Sequence, residues 1–349
     1  MVTEQSKIRR DYTLRAVPRS PATGPGDGAD LTLFATGGPA VMPTLTTSPL
    51  AFWRTNGDVP VEPLYDRGAA DVLADISAWA YSDCETLVDE LHHRGIVDPG
   101  TTCHEISVRN DAMFVVATAF FMRRNHVGVL CFRGTEPSNV INFLTDANVN
   151  AKRFLTMGRV HGAFHRNVRA IWDDIADHIW RAINDTDDGS QLHALYITGH
   201  SLGAAMAVIA AAIIFGDERF ASWRPLVRGV YTYGQPMVGD PEFAESCDAR
   251  FGKLVFRHIY DHDLVPRMPP WTTGPFRHFG AEYVGDASGW YPRSKPVGQA
   301  ATALWSVPIG AAAFVVKQLP LLSWVRLPFS IDDHSPNSYL EAFRAAREA

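Results

Sequence analysis

Residues 199–203 read G-H-S-L-G and place one serine, Ser201, between two glycines. An apolar run typical of a buried strand precedes them, and a small-residue stretch that favours a helix follows over Leu202 to Phe215. A sharp turn between the two elements would strain the serine backbone and present its hydroxyl at the carboxyl end of a sheet. The N–H of Leu202, at the start of the helix, would then face a developing oxyanion. The pattern predicts a serine nucleophile for acyl transfer.

A serine hydroxyl needs a base to take its proton and a carboxylate to orient that base. Asp263 follows an apolar strand-like run, and His334 lies in a polar loop before a final helix, which gives the order Ser, acid, His. His200 occupies the variable position of the turn and is expected to pack or hydrogen-bond rather than to react. Spacing alone leaves rivals open: Asp240 and Asp261 for the acid, and His258, His262 and His278 for the base.

The elements around Ser201 alternate between strands and helices. This alternation predicts an α/β fold with a largely parallel sheet that is covered on both faces. The expected strands are Phe114 to Met122, Val127 to Phe132, Leu192 to Thr198, Val227 to Tyr233 and Leu254 to Tyr260. The expected helices are Glu85 to Arg94, Phe164 to Ile179, Leu202 to Phe215 and Glu242 to Arg250, with one more around Val72 to Ala80.

Six segments in fixed order carry a resemblance to a known family. They lie at 129–135, 160–164, 197–205, 232–240, 263–270 and 333–339. Over Asp71 to Glu341 the chain resembles the class 3 lipases, the fungal-type triacylglycerol lipases and their bacterial and plant relatives. The resemblance implies the α/β-hydrolase fold, with a mostly parallel central sheet, helices on both faces and a lid loop.

The resemblance also implies roles for particular residues. Ser201 matches the nucleophile, Asp263 the acid and His334 the base, while the two oxyanion donors fall on Thr135 and Leu202. The lid falls on Glu136 to Asn150, whose apolar side chains are Val140, Ile141, Phe143 and Leu144.

The implied activity is hydrolysis of carboxylic esters of lipids through an acyl-enzyme, with triacylglycerol or a related acylglycerol as the lipid ester substrate. No metal or organic cofactor is expected, because the triad needs none. The alternatives are a phospholipase A1, a general carboxylesterase and, from another class, a non-catalytic lipid-binding or membrane-docking protein on the same fold.

Two segments fall outside the family pattern. Residues 1–50 contain 6 Pro and 5 Gly without an apolar period and are expected to form a flexible N-terminal tail before a hydrolase domain over 51–349. Pro296 to Phe329 is an apolar insertion before the candidate base, and Val297 to Val316 carries no charge. We expect a helical flap over the substrate mouth, an interfacial element in peripheral membrane contact, or a membrane span.

Composition excludes several classes of protein. Lys plus Arg total 32 against 38 for Asp plus Glu, which gives a net charge of -6 and argues against a nucleic-acid partner. The four cysteines contain no C-x-x-C pair and show no disulfide framework. No apolar stretch follows Arg9 and Arg10, so we expect no export signal and a cytoplasmic protein, with or without membrane association.

Overall fold

The computed structural model describes residues 6–15, 49–54, 65–110, 115–135, 151–184, 191–286, 288–300, 330 and 332–348. The strands in these ranges are β1 (Ser6–Thr13), β2 (Thr102–Asn110), β3 (Val115–Arg124), β4 (Val127–Phe132), β5 (Lys152–Arg153), β6 (Arg159–Val160), β7 (Ala194–His200), β8 (Val227–Tyr233), β9 (Val255–Tyr260), β10 (Ala281–Asp286) and β11 (Gly289–Arg293).

The helices are α1 (Arg67–Trp79), α2 (Cys84–His93), α3 (Gly162–Asn184), α4 (Leu202–Gly216), α5 (Pro241–Phe251) and α6 (Pro336–Glu348). Short 3-10 helices cover Pro49–Arg54, Glu218–Leu226, Gly252–Leu254, Val265–Arg267, Trp271–Thr273 and Asp332–His334.

Nine of the described strands form one sheet in the order β1-β2-β3-β4-β7-β8-β9-β10-β11. The strands β4, β7, β8, β9 and β10 run parallel, and the pairs toward both edges are antiparallel. Every residue of β4 and β7 is buried, as a strand with helices on both faces requires. The mostly parallel α/β sheet predicted from the sequence is therefore confirmed.

Two hydrophobic cores lie on opposite faces of this sheet. One contains apolar residues of α3, α4 and α5, among them Ile171 and Ala205. The other contains residues of α1, α2 and α6, among them Leu73, Leu87 and Phe343. Because the carboxyl ends of the parallel strands meet at one edge, the loops that follow β4, β7, β8 and β9 come together there.

The edge strand β1 corrects the expectation for the N-terminus. Residues 6–13 pair antiparallel with β2 over the whole length of the strand, and Lys7 and Arg9 form ion pairs with Asp174 of α3. The expectation of a flexible tail over 1–50 is therefore wrong for residues 6–15. Charged residues are compatible with a strand at a sheet edge, where one side of each residue faces water.

Two other predicted features lie largely outside the described residues. The lid over Glu136 to Asn150 is entirely outside them, and the insertion is described only up to residue 300 and again at Ser330. Within the described ranges, no helix combines the length and the hydropathy that crossing a membrane requires.

Candidate active site

Ser201 lies on the turn that joins β7 to α4. Its backbone has φ 59° and ψ -126°, a strained conformation for a residue with a side chain. A Cβ on Gly199 would lie 2.5 Å from the carbonyl carbon of Gly203, and a Cβ on Gly203 would lie 2.1 Å from the oxygen of Phe132. Both positions therefore require glycine, because strand and helix approach backbone to backbone. The Ser201 N–H donates to the Tyr233 carbonyl at 2.9 Å, which fixes the turn to the end of β8.

Ser201, His334 and Asp263 form a continuous chain of hydrogen bonds. The Ser201 Oγ lies 2.7 Å from His334 Nε2, and His334 Nδ1 lies 2.7 Å from Asp263 Oδ2. A carboxylate can only accept, so the imidazole proton lies on Nδ1 and Nε2 can accept the serine proton. All three side chains are buried although they come from three separate parts of the chain.

The Asp263 carboxylate has further donors. The Val265 N–H donates to Oδ1 at 2.8 Å, and the Tyr339 hydroxyl donates at 2.5 Å to Oδ2, the oxygen that also faces the imidazole. Burial raises the pKa of Tyr339 well above its usual value, and the charge of Asp263 raises it further, so the phenol keeps its proton. The carboxylate is thus held by three donors around its two oxygens.

Two backbone segments hold the candidate base in place, one at Gly234 and one at Ser330. Gly234 follows β8 with φ +59°, and a Cβ there would lie 2.8 Å from His334 Cε1 and 3.0 Å from Asp263 Oδ2. Ser330, four residues before His334, forms an isolated bridge with Asp263, and its N–H donates to the His262 carbonyl at 2.8 Å. The segment that carries the base therefore runs along the loop that carries the acid.

The two predicted oxyanion donors flank the serine turn in the fold. Leu202 is the first residue of α4, where backbone N–H groups lack helical partners, and Thr135 follows the end of β4. Gly134 packs tightly in this loop, because a Cβ would lie 2.3 Å from the Tyr81 hydroxyl and 2.7 Å from the His200 carbonyl oxygen. The loop after β4 thus touches the strand end that leads into Ser201.

The rival acids have other bonds in the structure. Asp240 caps α5, where its Oδ1 accepts from the Phe243 N–H at 2.8 Å. Asp261 is exposed and lies 2.7 Å from the Nδ1 atom of His262. Neither of these contacts involves the imidazole of His334, which bonds to Asp263 instead.

The rival bases are also bonded elsewhere. His258 lies on β9 with Nδ1 3.2 Å from the Thr232 carbonyl oxygen, and burial lowers its pKa to about 3. His278 donates from Nε2 to the Pro266 carbonyl at 2.7 Å. His262 is half-exposed and faces Asp261. The serine hydroxyl meets His334 instead.

One group of described residues has metal-ligand geometry. Asp261, His262 and Asp333 have potential ligand atoms within 4.8 Å of one another. Two of these residues are exposed and bond to each other, which is typical of a solvated loop. The chain of contacts from Ser201 to Asp263 runs separately, through His334.

Sequence reasoning missed three residues that support the site. Tyr339 lies five positions after His334, within a segment that carries the family resemblance, but the pattern assigns no bond to its hydroxyl. Gly234 follows a predicted strand, which is a weak signal of a positive φ. Tyr81 follows α1 and has no motif, so only the tertiary structure brings it to the site.

Fold and site together define the α/β-hydrolase class with a Ser-His-Asp arrangement. The family model for lipase (class 3) matches residues 129–273. The chain is 33% identical over 146 residues to secreted mono- and diacylglycerol lipase 1 of Fusarium solani, covering 42% of this chain and 40% of that protein. It is 26% identical over 267 residues to triacylglycerol lipase OBL1 of Arabidopsis thaliana, covering 64% and 50%. Over residues 129–273 the chain therefore resembles the class 3 lipases, as the six segments predicted.

The relatives and a solved structure overlap with different shares of the chain. The chain spans about half the length of the curated relatives it matches, at 40% and 50% of the two proteins above. A deletion mutant of Rhizomucor miehei lipase in complex with its propeptide aligns with a TM-score of 0.53 at 19% identity, covering 85% of this chain and 92% of that one. This likeness supports the fold.

The expectation of a cytoplasmic location is contradicted. Relatives that include the Fusarium protein are named as secreted lipases. The expectation rested on the cysteines and on the lack of an export signal. All four cysteines are free and buried in the core. Their pattern therefore reflects packing and does not indicate the redox state of the compartment.

Proposed function

We propose that this protein is a serine hydrolase that cleaves carboxylic ester bonds of acylglycerols through an acyl-enzyme intermediate. The observation that carries the proposal is the chain of two 2.7 Å contacts that joins Ser201 through His334 to Asp263. A nucleophile, a base within hydrogen-bonding reach and a group that orients the base are the three parts that acyl transfer by serine requires.

The first step is attack of Ser201 Oγ on the ester carbonyl. His334 Nε2 takes the serine proton as the C–O bond forms, and Asp263 stabilises the imidazolium that results. His334 then returns this proton to the alcohol oxygen as the ester bond breaks. The alcohol leaves, and the acyl group remains on Ser201.

The second step is hydrolysis of the acyl-enzyme. His334 takes a proton from water, the hydroxide attacks the acyl carbon, and the proton returns to Ser201 as the fatty acid leaves. In both steps negative charge develops on the carbonyl oxygen. We assign its stabilisation to the N–H of Leu202 at the start of α4 and to the N–H of Thr135.

The substrate class follows from the family. Two relatives are named as a mono- and diacylglycerol lipase and a triacylglycerol lipase, so we propose an acylglycerol as substrate. We also propose peripheral contact with a lipid surface through Val297 to Val316, which carries no charge in its sequence. Its described part, residues 297–300, contacts the loop that follows Asp263, because the Ala300 N–H donates to the Arg267 carbonyl at 2.9 Å.

The test is hydrolysis of p-nitrophenyl esters of graded chain length by the wild type and by Ser201→Ala. We expect the variant to lose at least about 10³-fold in kcat, because no other group replaces the nucleophile. Retained turnover in Ser201→Ala would contradict the proposal. Wild-type protein that binds liposomes but neither hydrolyses esters nor reacts with a fluorophosphonate would favour a non-catalytic lipid-binding protein.

A second measurement separates the hydrolase alternatives. Emulsified tri-, di- and monoacylglycerols and a phospholipid are supplied to the wild type, and the released fatty acid is titrated. Highest kcat/KM on an acylglycerol supports the proposal. Highest kcat/KM at the first acyl ester of the phospholipid indicates a phospholipase A1, and a preference for short soluble esters indicates a general carboxylesterase.

A further inference from the structure

His200 lies directly beside the candidate base without taking part in the triad. It is the last residue of β7, and Thr198, two residues earlier on the same face of the sheet, bonds to Ser77 of α1 at 2.9 Å. The His200 ring is buried, and its centroid lies 4.6 Å from the centroid of the His334 ring at an interplanar angle of 33°. One face of the candidate base is therefore covered by a second imidazole.

Tyr81 contacts both the His200 ring and the loop after β4 that contains Gly134 and Thr135. Its hydroxyl lies 2.9 Å from His200 Nδ1. The same hydroxyl packs against Gly134, since a Cβ at that position would lie 2.3 Å from it. A single phenol thus links the loop that leads to Thr135 with the imidazole packed on His334.

The His200 ring is neutral in this setting. Burial lowers its pKa well below the usual value, and the neighbouring His334 lowers it further. This matters for acyl transfer, because His334 becomes positively charged when it takes the serine proton. A neutral imidazole covers the ring without opposing that charge, whereas a protonated one would disfavour it.

We propose that His200 and Tyr81 are positioning residues that hold the His334 ring and the Gly134 loop in one geometry. The proposal rests on the proposed function and deepens it. Neither side chain reacts: Tyr81 fixes His200, and His200 keeps the imidazole aligned between Ser201 and Asp263. The effect belongs to kcat, since a small misplacement of a reacting group costs rate rather than substrate affinity.

The test uses Tyr81→Phe, His200→Phe, His200→Ala and the double variant Tyr81→Phe/His200→Phe. His200→Phe keeps a ring on His334 and loses the bond to Tyr81, whereas His200→Ala loses both. On a soluble p-nitrophenyl ester we expect kcat to fall about tenfold in Tyr81→Phe and about 100-fold in His200→Ala, with KM changed less than about twofold. The double variant should lose less kcat than the product of the two single losses, because Tyr81 acts in part through His200. Fluorophosphonate labelling of Ser201 should slow in the same order.

Tyr196→Phe is the matched control, since it removes a buried phenol hydroxyl from the same strand away from the triad. Its kcat should equal that of the wild type. Melting temperatures identify variants that fail to fold. If His200→Ala fails to fold, Tyr81→Phe still tests the proposal. Unchanged kcat in folded Tyr81→Phe and His200 variants, or a change confined to KM, overturns this proposal. Turnover retained in Ser201→Ala overturns the proposed function instead, so the two failures are distinguishable.

Discussion

The Oδ2 atom of Asp263 receives two hydrogen bonds, one from the imidazole of His334 at 2.7 Å and one from the Tyr339 hydroxyl at 2.5 Å. The phenol therefore helps to fix the same carboxylate oxygen that faces the imidazole. A hydrogen bond to a charged group contributes about 1.5 to 3 kcal/mol, which is enough to set the orientation of a buried side chain.

Tyr339→Phe tests this role at the scale of one atom. We expect kcat/KM to fall about 10- to 100-fold, because the carboxylate loses a charged hydrogen bond and can rotate away from His334. The measurement is steady-state hydrolysis of a soluble ester. Tyr291→Phe is the control, since that hydroxyl bonds to Ser288 on an exposed turn, and its activity should match the wild type. Equal activity in Tyr339→Phe and Tyr291→Phe would show that the phenol is dispensable.

The sequence indicated the three residues of the hydrogen-bonded chain better than the residues that hold them in place. Ser201 follows from its turn, and the order Ser, acid, His narrows the partners, but the choice of Asp263 and His334 over their rivals needed the family resemblance or the structure. The hydroxyl of Tyr81 contacts His200, and the backbone of Gly234 packs against His334, so both act on residues that are far away along the chain. Such contacts have no local signal in the chain.

The junction of β4, β7 and α4 is the element that sets the site geometry. Gly203, in the first turn of α4, lies against the backbone of Phe132 and Arg133 at the end of β4. The helix can therefore approach the strand only while position 203 has no side chain.

Gly203→Ala should destabilise the fold as well as the site. The added Cβ would lie 2.1 Å from the Phe132 oxygen, so helix and strand must separate. We expect the free energy of unfolding to fall by about 1 to 3 kcal/mol, measured by urea denaturation. Gly298→Ala is the matched control, because a Cβ there meets no atom of the described residues within 4 Å, and its stability should equal that of the wild type. An unchanged midpoint for Gly203→Ala would mean that the junction is looser than the contacts indicate.

Elements were predictable from the sequence where burial is complete. The bounds of β4 and β8 agree with those predicted, because strands that are buried along most or all of their length are rich in apolar residues. The sequence analysis did not predict four strands, because they carry charged residues whose partners lie on other elements of the fold. These strands are β1, β2, β10 and β11. For instance, Glu282 Oε2 of β10 is buried 3.0 Å from Arg257 Nη1 of β9, and no local sequence pattern predicts this ion pair.

At the scale of the whole fold, burial acts on histidines in several of the described elements, and it lowers the pKa values of His165, His178, His200, His258 and His278. Burial is the main cause in each case. The folded state therefore holds these imidazoles neutral at a pH where the unfolded chain binds protons. Stability should be greatest above the ordinary histidine pKa of about 6.5 and should fall as the pH drops below it.

His258 makes this prediction quantitative, since burial lowers its pKa to about 3. Between about pH 6.5 and pH 3 it should contribute a loss of up to about 1.4 kcal/mol of unfolding free energy per pH unit. Urea denaturation from pH 7.5 to pH 5 measures how the unfolding free energy depends on pH. His258→Gln should reduce the number of protons taken up on unfolding by about one at the acidic end of this range. Tyr65→Phe is the control, because it removes the 3.1 Å contact to His258 Nε2 but keeps the imidazole, so stability should fall equally at every pH. Equal slopes in wild type and His258→Gln would mean that His258 is protonated as readily in the folded state as in the unfolded chain.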